Sequence, residues 1–75
     1  MISYYIGSSD NAERLVRLCR KYNFDIDIMY GRYIIDGKSI LGVMSLVGNT
    51  VGIDLMTYDE NIKEEFKKKL YEEVK

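Results

Sequence analysis

Few residues in this chain are equipped for chemistry, and the one that is absent decides the most. Its 75 residues include no histidine. Any mechanism that needs an imidazole as base, as phosphoryl carrier or as activator of a serine or cysteine is closed to it. Asp25 and Asp27 lie two apart in an expected strand and share a face. Metal binding there is conceivable, but a solvated outer face is the simpler reading. Cys19 is the single cysteine, so no disulfide can close within the chain. It falls on the apolar side of an expected helix and reads as a small core hydrophobe. Gly42, Gly48 and Gly52 are too scattered to cradle a phosphate. No metal site and no cofactor is implied.

Three features remain. Ser39 stands where a short helix should begin. A serine there is ordinarily a cap, and it is also a place where a phosphate is tolerated, with Lys38 beside it to screen the charge. The segment Lys38–Leu46 (KSILGVMSL) is apolar nearly all round if helical. Val43 and Leu46 can face a core, which leaves Ile40, Leu41 and Met44 either exposed as a partner surface or simply buried. Both readings stand at this stage. Finally, Arg14, Arg17 and Lys21, with Arg20 nearby, share a helix face that is either solvated or set toward an acidic partner.

The elements that must position these residues follow from patterning. Ile2–Ile6 (ISYYI) suits a strand, and Gly7, Ser8 and Ser9 end it. Asp10 and Glu13 form a plausible N-cap and capping-box pair. Leu15, Val16, Leu18, Cys19 and Tyr22 recur at helical spacing, which predicts a helix ending near Tyr22-Asn23. Phe24, Ile26, Ile28 and Tyr30 alternate with Asp25, Asp27 and Met29, the period of a half-buried strand. Tyr30-Gly31-Arg32 turns the chain into a second strand, Tyr33–Ile35, so the two make a hairpin closed by Asp36-Gly37. Val51, Ile53 and Leu55 mark a fourth strand after the loop Gly48-Asn49-Thr50. Asp59, or Thr57 with Glu60, can cap a last helix. Its apolar stripe is Ile62, Phe66, Leu70 and Val74, flanked by the surface pairs Glu64–Lys68 and Glu65–Lys69. The expected order is β-α-β-β-α-β-α. It implies an α+β two-layer domain with a four-stranded antiparallel sheet and three helices on one face.

Composition narrows the function classes. The chain is 47% hydrophobic and 31% charged, which argues against disorder, and 1–75 reads as one small domain. A net charge of −1 gives no drive for non-specific nucleic-acid binding. Neither a secretory leader nor an apolar run long enough to cross a membrane is visible, so a cytoplasmic setting and protein partners are expected.

On these residues the chain resembles HPr, the phosphocarrier family of the bacterial sugar phosphotransferase system. Lys38–Leu46 is similar to that family's regulatory serine segment, and Lys21-Tyr22, Asp59-Glu60-Asn61 and the element order fit as well. The resemblance runs without a gap from Ser8 to Leu46, and the strand region after Leu46 is a few residues shorter. It sets the family's phosphohistidine, arginine and proline on Ser8, Asp10 and Asn11, all three of which depart from the pattern. Phosphoserine is a stable ester, and an aspartate in place of the arginine repels phosphate, so the resemblance carries no phosphohistidine transfer here. It does carry the serine site. Ser39 matches the serine modified by HPr kinase/phosphorylase, and Ile40, Leu41 and Met44 match the family's apolar partner surface. The Crh proteins of that family likewise lack the histidine and keep the serine as regulators of carbon catabolite repression. The resemblance therefore implies a non-enzymatic regulator, phosphorylated on Ser39 and recognised by a transcriptional regulator. A plain binding or scaffold domain is the main alternative, and a phosphocarrier using a non-histidine acceptor such as Ser8 is another.

Overall fold

The alternating residues of the two central strands sort the sheet into a buried and an open face. In the computed structural model, which describes residues 1–74, β1 is Ile2–Tyr5, β2 Ile26–Tyr30, β3 Tyr33–Asp36 and β4 Thr50–Leu55. They form one antiparallel sheet in the order β1-β4-β2-β3. Ile26 and Ile28 of β2 and Val51, Ile53 and Leu55 of β4 are buried. Their neighbours Asp27, Met29, Gly52 and Asp54 point to the other side. The register sets Asp27 beside both Asp36 and Asp54, so three carboxylates run in a row across the open face. One row on, Met29 stands between Ile34 and Gly52.

Helix α1 (Ser9–Cys19), α2 (Ile40–Met44) and α3 (Glu60–Lys69) follow, and α3 runs into a π-helical turn, Leu70–Val74. The core joins Ile6, Leu15, Val43, Phe66, Leu70 and Val74 to the buried strand residues. Each large side chain of this kind contributes about 1.5–3 kcal/mol by leaving water. The α+β architecture read from the sequence is the one observed, with four antiparallel strands and three helices packed over one face of the sheet.

Several local expectations are corrected. The N-cap of α1 is Ser8, not Asp10. Its hydroxyl accepts from Asn11 N–H at 3.1 Å, while Asp10 lies inside the first turn and Glu13 pairs with Arg17 instead of reaching back. A start two residues earlier lets Ala12 share the buried face with Leu15, Val16 and Cys19. Helix α1 ends at Cys19, with Arg20 as its C-cap, and single turns carry the chain to Tyr22. β1 stops at Tyr5, β2 begins at Ile26 rather than Phe24, and β3 extends to Asp36. Asp25 therefore precedes the strand and does not share its face with Asp27 through strand pleating. Among the described residues no cluster of three metal-ligating side chains occurs. Asp59 caps α3, accepting from Asn61 and Ile62 N–H. Of the two surface pairs expected on α3, Glu65–Lys69 forms at 3.8 Å, and Glu64–Lys68 is not among the ion pairs of the described residues.

Candidate functional site

Helix α2 is a single turn and a half, and local chemistry starts it. Ser39 sits in extended backbone (φ −96°, ψ 111°), and its Oγ accepts from Gly42 N–H at 3.3 Å. Its own backbone N–H donates to Asp36 O, and its carbonyl accepts from Val43 N–H. Gly42 lets the helix lie close on β3, because a Cβ there would sit 2.6 Å from Ile35 Cγ2. Val43, on the far side of the turn, is fully buried.

The expected patch divides in two. Leu41 is 82% exposed, whereas Ile40 and Met44 are half-buried and packed against the core. Ile40 lies in a groove with Glu13, Val16, Arg17 and Arg20 because α2 rests on α1. The surface α2 offers is thus Leu41 at its centre, with only the rims of Ile40 and Met44.

Two cations stand near Ser39, and they arrive from different directions. Lys38 turns its ammonium away, donating to Tyr22 O at 2.7 Å, while its backbone N–H donates to Asp36 Oδ1 at 2.9 Å. Arg20 approaches from α1. Its Nε donates to Lys38 O at 3.0 Å, which brings a guanidinium to the residue before Ser39. No pattern in the sequence marks Arg20 for this role, since the contact spans 18 residues. Asp36 is the carboxylate tied into this turn, and it is committed to Lys38 N–H.

Ser8, at the start of α1, has different surroundings. It is exposed, and its hydroxyl donates to Asn11 Oδ1 at 3.1 Å while accepting from Asn11 N–H. Asn11 Nδ2 in turn donates to Val74 O at 2.6 Å. The turn Leu70–Val74 is thereby fastened to the start of α1, and Asp10 adds a carboxylate in the first turn of that helix.

The basic face is brought together, but it is not left free. Arg14, Arg17 and Lys21 line a shallow cleft of about 230 Å³ with Leu18, Glu73 and Val74. Arg14 pairs with Asp10 at 3.1 Å and donates to Glu73 O at 3.4 Å. Arg17 pairs with Glu13 at 3.0 Å and Lys21 with Glu73 at 3.7 Å. Acidic groups of the chain itself pair with all three residues. All of these groups are well exposed, so each pair contributes little to stability.

Cys19 is fully buried, and burial pushes its thiol up to about 12, so it stays protonated and inert, as expected of a core side chain. Burial also raises Tyr22, together with the hydrogen bond its Oη donates to Glu65, to about 12. No described helix is long and apolar enough to cross a membrane.

No family model matches this sequence, and neither does any curated protein. Solved structures do. HPr-C-His from Thermoanaerobacter tengcongensis is 26% identical and superposes with a TM-score of 0.70 over 97% of this chain and 88% of its own. The phosphocarrier protein HPr from Bacillus anthracis str. Ames gives 23% identity and a TM-score of 0.68 over 99% and 94%. Crh, the Bacillus subtilis catabolite repression containing protein, gives 21% and 0.66 over 100% and 92%, and its crystal structure is described as a swapped, intertwined dimer. With this topology, and with that likeness over nearly its full length, the chain has the HPr-like fold.

Proposed function

We propose that this protein is a regulatory HPr-like module that carries no phosphohistidine and is switched by phosphorylation of Ser39. A kinase of the HPr kinase/phosphorylase type transfers the γ-phosphoryl group of ATP to Ser39 Oγ, and ADP and a proton leave. The phosphoserine and the neighbouring apolar surface, Leu41 with the rims of Ile40 and Met44, then bind a regulator of transcription in the cytoplasm. The protein is the substrate of this chemistry and not its catalyst.

The observation that carries this reading is the pairing of a half-buried, singly engaged serine with a cation and an exposed leucine. Ser39 Oγ accepts one hydrogen bond, Arg20 is anchored one residue away, and Leu41 is 82% exposed two residues on. An added phosphate would meet the Arg20 guanidinium in a charge-assisted contact. Ser8 supports the opposite reading for the other pole. It is engaged as donor and acceptor and stands beside Asp10, so transfer from a phosphoryl donor is disfavoured there.

The test is intact mass after incubation with ATP and HPr kinase/phosphorylase, with Ser39→Ala as control. One added phosphate on the wild type alone is the expected result. No phosphate under conditions that modify a true HPr, or a phosphate on Ser8 from phosphoenolpyruvate and the first enzyme of the sugar system, would defeat the proposal. The first outcome leaves a scaffold or binding domain, and the second a serine phosphocarrier.

A further inference from the structure

The sheet ends on two unequal edges. At β1, Tyr71 Oη donates to Ser3 O at 3.2 Å, so the C-terminal turn reaches that edge. At β3, the last strand in the order, no further strand pairs among the described residues, and Ser39 N–H reaches the edge only at its end, donating to Asp36 O at 3.0 Å. The backbone of β3 divides by parity. Gly37 N–H donates to Ile26 O at 2.8 Å, which continues the inward bonding of Tyr33 and Ile35 to β2, so Ile34 aims its N–H and C=O, and Asp36 its N–H, at the open edge, the Asp36 carbonyl being taken by Ser39 N–H. The strand reads Tyr-Ile-Ile-Asp and has none of the proline or lysine with which edges are usually blunted. Ile34 is 63% exposed.

We propose that β3 is the pairing edge for a second copy of this chain, joined antiparallel across a two-fold axis at Ile34. A two-fold axis perpendicular to a sheet pairs residues of equal parity, so that both copies keep their helices on the same side. Centred on Ile34, the two copies exchange both Ile34 N–H···O=C bonds. Tyr33 then faces the second copy's Ile35, and Arg32 faces its Asp36.

Charge selects this register. Asp54, Asp27 and Asp36 run in a row across the open face and end in a carboxylate at the free edge. Like charges set side by side oppose one another, and a cation at the end of the row relieves them. Arg32 is exposed in the hairpin turn and takes part in no ion pair among the described residues. Centring the pairing on Ile35 instead sets Arg32 against the second copy's Lys38, two like charges, and leaves Asp36 facing Ile34 rather than a cation. On the open face the Ile34 register makes one apolar row, Met29–Ile34 of one copy continuing into Ile34–Met29 of the other. A ladder this short forms a weak, concentration-dependent dimer, not an obligate one.

The test is sedimentation equilibrium of the full chain from micromolar to millimolar concentration. The wild type should rise with concentration from the 8.8 kDa monomer toward twice that mass. Ile34→Lys, a change at an exposed position outside the core, should weaken association at least tenfold. Arg32→Asp and Asp36→Arg should each do the same alone, by setting like charges across the axis. Mixed in equal amounts, those two variants should associate again, because each then meets an opposite charge at both ends of the ladder. A wild type that stays monomeric at millimolar concentration overturns the proposal. So does a dimer indifferent to Ile34→Lys, as one built by exchange of another strand would be.

Discussion

Two helices of this protein begin on a serine cap, and their surroundings differ in almost every other respect. Ser8 opens an eleven-residue helix with a wide buried face, and it is knotted through Asn11 to Val74, which lies 63 residues beyond Asn11. Ser39 opens a five-residue helix with one buried residue, and its only side-chain partner among the described residues is Gly42 N–H. An acid stands in the first turn behind Ser8 and none behind Ser39, where Arg20 arrives from α1. The comparison teaches that a capping serine is defined locally, while its availability for chemistry is defined by what the rest of the chain brings to it. One hydroxyl is built into a clamp. The other is held by a single bond.

The clamp can be broken from underneath. Leu70, fully buried at the start of the π-helical turn, carries Glu73 and Val74 to α1. Leu70→Ala should cost about 2–5 kcal/mol by chemical denaturation. In any folded fraction, Ser39 should remain a kinase substrate, because α2 does not lean on that turn. The second effect in size strikes the other pole. Gly42→Ala forces a methyl group toward Ile35 and should cost about 1–3 kcal/mol, partly offset by alanine's helix preference, while slowing phosphorylation of Ser39. Thermal melts together with kinase initial rates check both arms.

Removing each hydroxyl measures the difference directly. Ser8→Ala should cost about 1 kcal/mol or more, since it loosens two bonds to Asn11, and Ser39→Ala about 0.5 kcal/mol for a cap on one turn of helix. Equal losses would contradict the comparison. The smallest effect concerns the ground between the two caps, where Lys38 holds Tyr22 O and Cys19 lies beneath. The Cys19 thiol and the Tyr22 phenol both titrate higher in the fold, near about 12, than their ordinary values of 9.0 and 10.0. The fold therefore prefers their neutral forms. Their contribution is fully present below about pH 9 and is lost as pH rises toward about 12. Melting temperature should fall across that range, less steeply in Cys19→Ala, and iodoacetamide at pH 8 should leave the folded thiol unmodified.

Much of this was legible in the sequence. The alternation of Ile26 and Ile28, and of Val51, Ile53 and Leu55, placed two strands and their buried face, because pleating gives a strand only two sides. Ser39 was legible as a cap because its partner, Gly42, is three residues away. Ser8 was not. Ser8, Ser9 and Asp10 are all competent caps, and Glu13 offered Asp10 a partner at the right spacing. The choice was settled by the need to bury Ala12 and by the bond from Asn11 to Val74. The basic face was legible as a face but not as a neutralised one, since Glu73 reaches Lys21 only after the C-terminal turn has folded back. Nor did periodicity divide Ile40 and Met44 from Leu41. On a helix of five residues, only the neighbours decide which side is covered.

By itself, then, the sequence determined the absence of imidazole chemistry, the strands with their buried faces, the α+β order and the serine that starts α2. All of these rest on composition or on contacts within a few residues. Tertiary structure alone decided which serine is tied down, which cation stands beside Ser39, how much of the apolar segment meets water and which sheet edge is left bare. Each of those depends on groups 18 or more residues apart being brought together by burial of a shared core, a constraint that local spacing does not encode.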